Sequence, residues 1–131
     1  MLLRQEIVHM ATMLAVSELD RSVAFYRDRL GFESREVMPG LALLGHGPML
    51  LYLVTDSPPT PDKLGVWLSP PADMTRTCVN LVFRVNDCPA VYERLRTAGV
   101  AFLSAPQSPT WGGWRCFGRD PDGYLFEIEQ P

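Results

Sequence analysis

The sequence predicts an α+β protein made of two tandem βαβββ modules. Residues 10–33 and 79–102 share one pattern: an apolar run, a polar cap, a helical stretch, and a glycine followed by an apolar residue. Val16 matches Val85 in the second copy at an offset of 69 residues. Strand-like runs outnumber helices, which is typical of helices on one side of a mostly antiparallel sheet.

The first helix is predicted from one apolar stripe with a 3.6-residue period. Ser17 followed by Asp20 is a candidate capping box at its start, and Gly31 suits the position just after its end. The stripe is formed by Leu19, Val23, Tyr26 and Leu30.

The second helix is predicted from the equivalent segment of the other module. Asn86 or Asp87 caps it, Pro89 falls in the first turn where proline is tolerated, and Gly99 ends it. Its apolar face carries Val91, Leu95 and Ala98.

Strand signals follow each helix. In the first module, the segment 40–54 contains two apolar runs separated around Gly47. In the second module, runs at 114–119 and 124–129 flank the sequence Asp-Pro-Asp-Gly at 120–123. Proline followed by Asp-Gly fits the turn of a hairpin, so the two runs are predicted to pair.

A proline-rich segment separates the two modules. We expect a single domain over residues 1–131, with module one at about 10–54, the connecting loop at 55–77 and module two at about 78–131. Proline at the density found in 55–77 excludes a central strand. This loop is either a plain linker or a lid or dimer arm.

Composition restricts the partners. The chain has 131 residues, a net charge of −3 and a sequence pI near 5.3, so a nucleic-acid backbone is not expected as a partner. Three cysteines make no disulfide framework and suit a reducing compartment. The apolar N-terminal run is interrupted by charged residues, so neither a signal peptide nor a membrane span is expected, and we predict a cytoplasmic protein.

Several common chemistries lack their motifs. The sequence contains no GxSxG, no GxxxxGK[ST], no GxGxxG, no CxxC and no HExxH. Glu127 and Glu129 share a strand face, but a solvated edge is favoured over a paired-carboxylate site. The segment Trp111-Gly-Gly-Trp114 leaves open backbone between two large rings, which can stack on a planar ligand or pack in the core.

The duplicated pattern, with VSELDRSVAFYRDRLGF in the first module and RDPDGYLFEIEQ in the second, resembles the vicinal oxygen chelate superfamily. That family contains glyoxalases, extradiol dioxygenases, thiol transferases acting on fosfomycin and bleomycin-resistance proteins. The stretch TWGGWRCFGRDPDG looks most like the bleomycin-resistance branch. The resemblance implies a curved sheet around a cavity, a small-molecule ligand and a homodimer.

The resemblance also implies where a metal would bind. Members with metal chemistry place His, Glu or Gln on the first and last strands of each module, and the matching positions here are Ala11, Tyr52, Asn80 and Glu127. Ala11 has no donor, and Asn80 and neutral Tyr52 are poor ligands. We therefore expect no metal and no other cofactor.

Neither of the two histidines is expected to supply a ligand to a metal site. His9 and Cys78 are related by the same offset of 69 residues and, with Glu127, could form an atypical soft-metal site. A strand-end histidine and a buried thiol are favoured instead. His46 lies in a glycine-rich turn and is expected to be solvated.

The first hypothesis is therefore metal-free binding of an aromatic or cationic compound, as in drug resistance. Glu127, read as a lone acid among aromatic residues, would attract a cation. One alternative is a lyase or isomerase with Glu127 as general base, or a metal-dependent enzyme of glyoxalase or dioxygenase type, in the same cavity. A regulatory module without a ligand is the third. The expected contacts are Tyr52, Trp67, Trp111 and Trp114 for stacking, Asn80 for hydrogen bonding, and Glu127 for charge.

Overall fold

The structure, a computed structural model, describes residues 6–131. The chain divides into two compact units, one ending at Ser69 and the other comprising Pro70–Pro131. Among residues 6–131, each unit contains a four-stranded sheet with a helical segment between its first and second strands, in the order strand, helix and three strands. The prediction of an α+β protein with two βαβββ modules is confirmed.

The sheet of the first unit is mixed, because its first strand pairs in parallel with its last. Its strand order is β1-β4-β3-β2, and β3 pairs antiparallel with both neighbours. The strands are β1 (Ala11–Val16), β2 (Glu33–Met38), β3 (Leu41–His46) and β4 (Met49–Thr55).

The helix of the first unit follows its predicted apolar stripe, with Val23 and Tyr26 buried against the sheet. It begins as α1 (Leu19–Ala24) and widens into a π-helical turn at Phe25–Arg29. The predicted capping box is wrong, because the N-cap is Glu18 and its side chain makes no capping hydrogen bond. Gly31 ends the segment with φ of 79°.

The second unit repeats this topology. Its strand order is β5-β8-β7-β6, with β5 parallel to β8 and the other two pairs antiparallel. Antiparallel pairs are thus in the majority in both sheets, as predicted. The elements are β5 (Asn80–Arg84), α2 (Cys88–Thr97), β6 (Ala101–Phe102), β7 (Trp114–Arg119) and β8 (Leu125–Gln130).

Helix α2 has the predicted ends. The Asp87 side chain accepts a 3.0 Å hydrogen bond from the amide of Ala90, and Pro89 lies in the first turn. Gly99, with φ of 93°, follows its last turn. The helix packs on β7 and β8, so one face of the second sheet is covered and the other is left for the site.

Two buried thiols lie on the covered face of the second sheet. Cys88 on α2 and Cys116 on β7 have their Sγ atoms 3.9 Å apart, and both residues are almost fully buried. Burial raises the pKa of both thiols, and for Cys116 the pKa reaches about 12, with the neighbouring Cys88 adding to the shift. These cysteines are part of the packing of the core.

The hairpin between β7 and β8 is closed by side chains. Oδ1 of Asp120 accepts 2.9 Å hydrogen bonds from the amides of Asp122 and Tyr124. The guanidinium of Arg119 donates to the carbonyl oxygens of Gly123 and Met74. The Asp-Pro-Asp-Gly turn predicted from the sequence is therefore confirmed.

The proline-rich segment 55–77 contains no strand of its own. It has isolated bridges between Ser57 and Leu68 and between Thr60 and Lys63. The boundary between the two units falls inside it, after Ser69. No helix among residues 6–131 is long and apolar enough to cross a membrane.

Candidate functional site

The sequence singled out Ala11 and Tyr52 in the first unit and Asn80 and Glu127 in the second. The strand registers show that these two pairs occupy equivalent places in their sheets. The residue opposite Tyr52 on β1 lies two positions after Ala11, and the residue opposite Glu127 on β5 lies two positions after Asn80. Each module thus has one of these residues on its first strand and the other on its last strand. In the second unit both are polar.

Asn80 and Glu127 are in direct contact. The Asn80 side-chain amide donates a 3.0 Å hydrogen bond to Oε1 of Glu127. Glu127 is only 9% exposed, although its strand face is not the one covered by α2. Alternation along β8 puts Phe126 and Ile128 on the α2 side and Glu127 on the other. The carboxylate is thus held in a mostly dry position by a neutral partner.

A pocket with a volume of about 220 Å3 lies beside this carboxylate. It brings together three of the predicted site residues, Trp111, Trp114 and Glu127. The remaining lining residues are Arg84, Pro109, Gly112, Gly113, Arg115, Glu129, Gln130 and Pro131.

Arg115 is the pocket residue that the sequence analysis missed. Its Cζ lies 4.8 Å from the centroid of the Trp111 ring and 5.1 Å from that of Phe117. No carboxylate within residues 6–131 forms an ion pair with its guanidinium, and no carbonyl there accepts a hydrogen bond from it. Alternation along β7 could have identified it, since Arg115 shares a face with Phe117, which pairs with Glu127.

The charges of the pocket correct two premises of the sequence analysis. Glu127 is not a lone acid, because Arg84, Arg115 and Glu129 line the same pocket. Glu129 is not simply a solvated edge residue, because Oε2 lies 3.4 Å from Nε of Arg84 in an ion pair. The pocket is therefore lined by two arginines and two glutamates. Its charged residues alone do not predict that it prefers a cationic ligand.

Two glycines shape the loop that carries Trp111. Gly112 and Gly113 have φ of 95° and 72°, a region that other residues rarely adopt. A Cβ on Gly113 would also collide with the carbonyl oxygen of Gln130. The loop therefore approaches β8 closely, and Trp111 remains 71% exposed. Trp114 is 43% exposed. Because successive side chains of a strand point to opposite faces, the Trp114 side chain leaves β7 on the face opposite to that of Arg115.

The remaining predicted contacts belong to the first unit. Tyr52 is half-buried on β4, opposite Met13 on β1 and Leu43 on β3. Trp67 is 59% exposed in the proline-rich segment. Their participation in one ligand site with the residues of the second unit stays a prediction.

The donor set does not fit a metal ion. Within residues 6–131, no three His, Cys, Asp or Glu side chains are grouped so that they could hold one. The amide of Asn80 directs an N–H group, not an oxygen, at Glu127. His9 is exposed and lies two residues before the start of β1. Cys78 is also exposed, so the prediction of a buried thiol is wrong.

Comparison with known proteins gives a consistent result. A sequence profile of the Glyoxalase/Bleomycin resistance protein/Dioxygenase superfamily matches residues 6–128. The chain is 30% identical over 125 residues to a lactoylglutathione lyase of Salmonella typhimurium, covering 89% of this chain and 87% of that protein.

Solved structures agree with this similarity. A glyoxalase/bleomycin resistance protein/dioxygenase from Nocardioides is similar with a TM-score of 0.72 and 26% identity, over 98% of this chain and 90% of that one. A lactoylglutathione lyase from Agrobacterium tumefaciens has a TM-score of 0.74 and 22% identity, over 92% and 91% of the two chains.

Proposed function

Because the chain belongs to the Glyoxalase/Bleomycin resistance protein/Dioxygenase superfamily, we propose that it is a lyase or isomerase that acts on a small organic molecule without a bound metal ion. Glu127 is the proton-transfer group, and the pocket of the second unit receives the molecule. The observation that carries this proposal is the mostly buried Glu127 carboxylate, held by Asn80 at the pocket.

The proposed chemistry is proton transfer at a carbon atom next to a carbonyl group. The Glu127 carboxylate removes the proton, and the electron pair of the broken C–H bond moves onto the carbonyl oxygen. The carbon that loses the proton also carries a hydroxyl group, whose proton passes to the former carbonyl oxygen while a new carbonyl forms at the first carbon. The electron pair of the enediolate double bond then takes the proton back from Glu127 at the former carbonyl carbon, so the isomerisation consumes no oxidant, reductant or co-reactant. A general base must lie within hydrogen-bond reach of the proton, which the position of Glu127 in the pocket lining allows.

The names of the curated relatives support an enzyme over the sequestering protein favoured by sequence alone. The relative that is 30% identical is named a lactoylglutathione lyase. Binding without reaction is the second candidate, and the 71% exposed ring of Trp111 beside the pocket favours it. A flat, accessible ring holds planar molecules without performing chemistry on them.

The test is proton exchange in D2O. Chelator-treated protein is incubated with lactoylglutathione, and loss of the hydrogen next to the thioester carbonyl is followed by proton NMR. We expect exchange that Glu127→Gln abolishes and that Asn86→Ala, a change at an exposed loop residue, leaves intact.

One result would contradict the enzymatic activity, and another would contradict its independence of metal. Saturable binding of lactoylglutathione without exchange would favour the second candidate. Exchange that disappears with chelator and returns with a divalent metal would overturn the metal-free mechanism.

We also propose that the protein is a homodimer. All six residues of the edge strand β2 are exposed, and an uncovered edge strand offers unpaired backbone groups to a second copy. Light scattering at micromolar concentration should give twice the monomer mass of 14.7 kDa. A monomer mass across that range would contradict the proposal.

A further inference from the structure

We propose that Arg115 makes the pocket selective for molecules that carry a carboxylate group. This inference rests on the proposed function for the location of the site and adds the chemical class of its ligand. From the sequence we expected an aromatic or cationic compound, so for a charged ligand the two expectations differ in sign and one set of probes separates them.

The Arg115 guanidinium lies against two aromatic rings. It lies over Trp111 at 4.8 Å and over Phe117 at 5.1 Å. A planar guanidinium that stacks on its faces keeps the N–H groups at its edges available, and those edges match the two oxygens of a carboxylate. These two contacts favour one position of the Arg115 side chain before a ligand arrives.

The neighbouring charges leave Arg115 as the available cation. Arg84, the other arginine of the pocket, is paired with Glu129 at 3.4 Å. Within residues 6–131, Arg115 has no such carboxylate partner, although Glu129 lies directly opposite it on β8. Arg119, the other arginine on this face of β7, donates hydrogen bonds to two backbone carbonyls. A ligand carboxylate would supply the missing partner.

The spacing between Arg115 and Glu127 fits a small molecule. Glu127 pairs with Phe117, so Arg115 is its diagonal neighbour across the two strands. Diagonal neighbours of this kind are about 7–8 Å apart. A carboxylate bound by Arg115 would place the adjoining carbon atoms towards Glu127, where the proposed proton transfer occurs. The two residues would then bind and transform neighbouring parts of one ligand.

The test uses three planar probes of equal size and different charge: benzoate, benzamide and benzamidine. Binding of each is measured by NMR titration of the intact protein. We expect benzoate to bind about ten-fold more tightly than benzamide, as hydrogen bonds to a charged group in a partly exposed pocket would give. Arg115→Gln should abolish that preference, so that benzoate and benzamide bind with equal affinity.

A matched control removes the same charge elsewhere. Arg96→Gln loses an arginine on α2 that pairs with Glu93 outside the pocket lining, and it should keep the ten-fold preference. Arg115→Lys retains the charge without the planar fork, so it should keep only part of the preference. Thermal unfolding of each variant identifies any loss of binding that comes from loss of folding.

Three outcomes overturn the inference. Equal affinity for benzoate and benzamide in the unchanged protein rejects carboxylate selectivity, and tighter binding of benzamidine supports the cationic ligand instead. A benzoate preference that survives Arg115→Gln assigns it to another residue. In each case, Glu127-dependent exchange of lactoylglutathione would still support the proposed function, whereas absence of both exchange and probe binding would reject the function and the inference together.

Discussion

The side-chain amide of Asn80 and the carboxylate of Glu127 form a 3.0 Å hydrogen bond between the first and last strands of the second sheet. The two residues differ in exposure, because Asn80 is open to solvent and Glu127 is 9% exposed. The asparagine thus supplies a donor to a carboxylate that has lost most of its water. Its contribution to stability and to the site is measurable.

Asn80→Ala should lower the free energy of unfolding by about 1 kcal/mol, because Glu127 would lose a donor while remaining mostly buried. Urea denaturation of the variant and the unchanged protein measures the difference. Asn86→Ala, at an exposed position before α2, should change stability by less than about 0.5 kcal/mol. Equal stability of all three proteins would show that water replaces the Asn80 amide without loss.

The purified protein should hold less than one equivalent of divalent metal, and chelator should leave its melting temperature unchanged. The reason is the donor set at Ala11, Tyr52 and Asn80, which offers no strong ligand beside Glu127. Elemental analysis and thermal unfolding with and without EDTA test this. A drop of several degrees with EDTA would contradict it, because a bound metal stabilises the folded state.

One of the three thiols should react quickly with a thiol reagent at pH 8. Cys78 is exposed, whereas burial raises the pKa values of Cys88 and Cys116 and leaves little thiolate on either. Ellman's reagent should therefore modify one cysteine in the native protein and three in denaturant. Cys78→Ser should remove the fast reaction, and any fast reaction left in that variant would show that the core thiols are accessible.

The same thiols predict how stability changes at high pH. The pKa of Cys116 is raised from 9.0 to about 12, so the folded state retains a proton that the unfolded state releases within that interval. Stability should be fully present below pH 9 and fall as pH rises towards 12. Cys116→Ala should show a shallower fall in urea denaturation at pH 8 to 11, and an unchanged slope would assign the effect to other groups.

Trp111→Ala should weaken binding of a planar ligand without a large loss of stability. The ring is 71% exposed, so its removal should change the free energy of unfolding by less than about 0.5 kcal/mol. Loss of a stacking partner should weaken ligand binding by about 1–3 kcal/mol. Tryptophan fluorescence with benzoate and urea denaturation measure the two quantities, and a loss of stability with unchanged affinity would reject the stacking role.

Repetition and periodicity were sufficient to predict the fold. The offset that relates Val16 to Val85 placed two equivalent modules, and the apolar stripe through Tyr26 placed the first helix. The π-helical turn at Phe25–Arg29 was not predictable. The spacing of apolar residues over a single turn does not distinguish an α-helix from a short π-helical turn. The Ser17 capping box failed because local sequence does not fix where the backbone first turns.

The site was predicted less completely than the fold. Glu127 and Trp111 were identified from residue type and do line one pocket. Arg115 was not, because its role depends on the pairing of β7 with β8, which sets its neighbours across the sheet. A charged residue in a strand gives no signal of its own until the facing strand and its register are known.

The parallel pairing of β1 with β4, and of β5 with β8, has a consequence for the chain during its synthesis. In each unit the first strand cannot pair until the last has been made, because its sheet partner among residues 6–131 follows two other strands along the chain. All four strands of the first unit precede β5, so that unit can close its sheet while the second is still being translated. The proline-rich segment then separates two folding events, and nascent chains halted late in the second unit, with Ser69 already outside the ribosome, should protect the backbone amides of β1 from exchange.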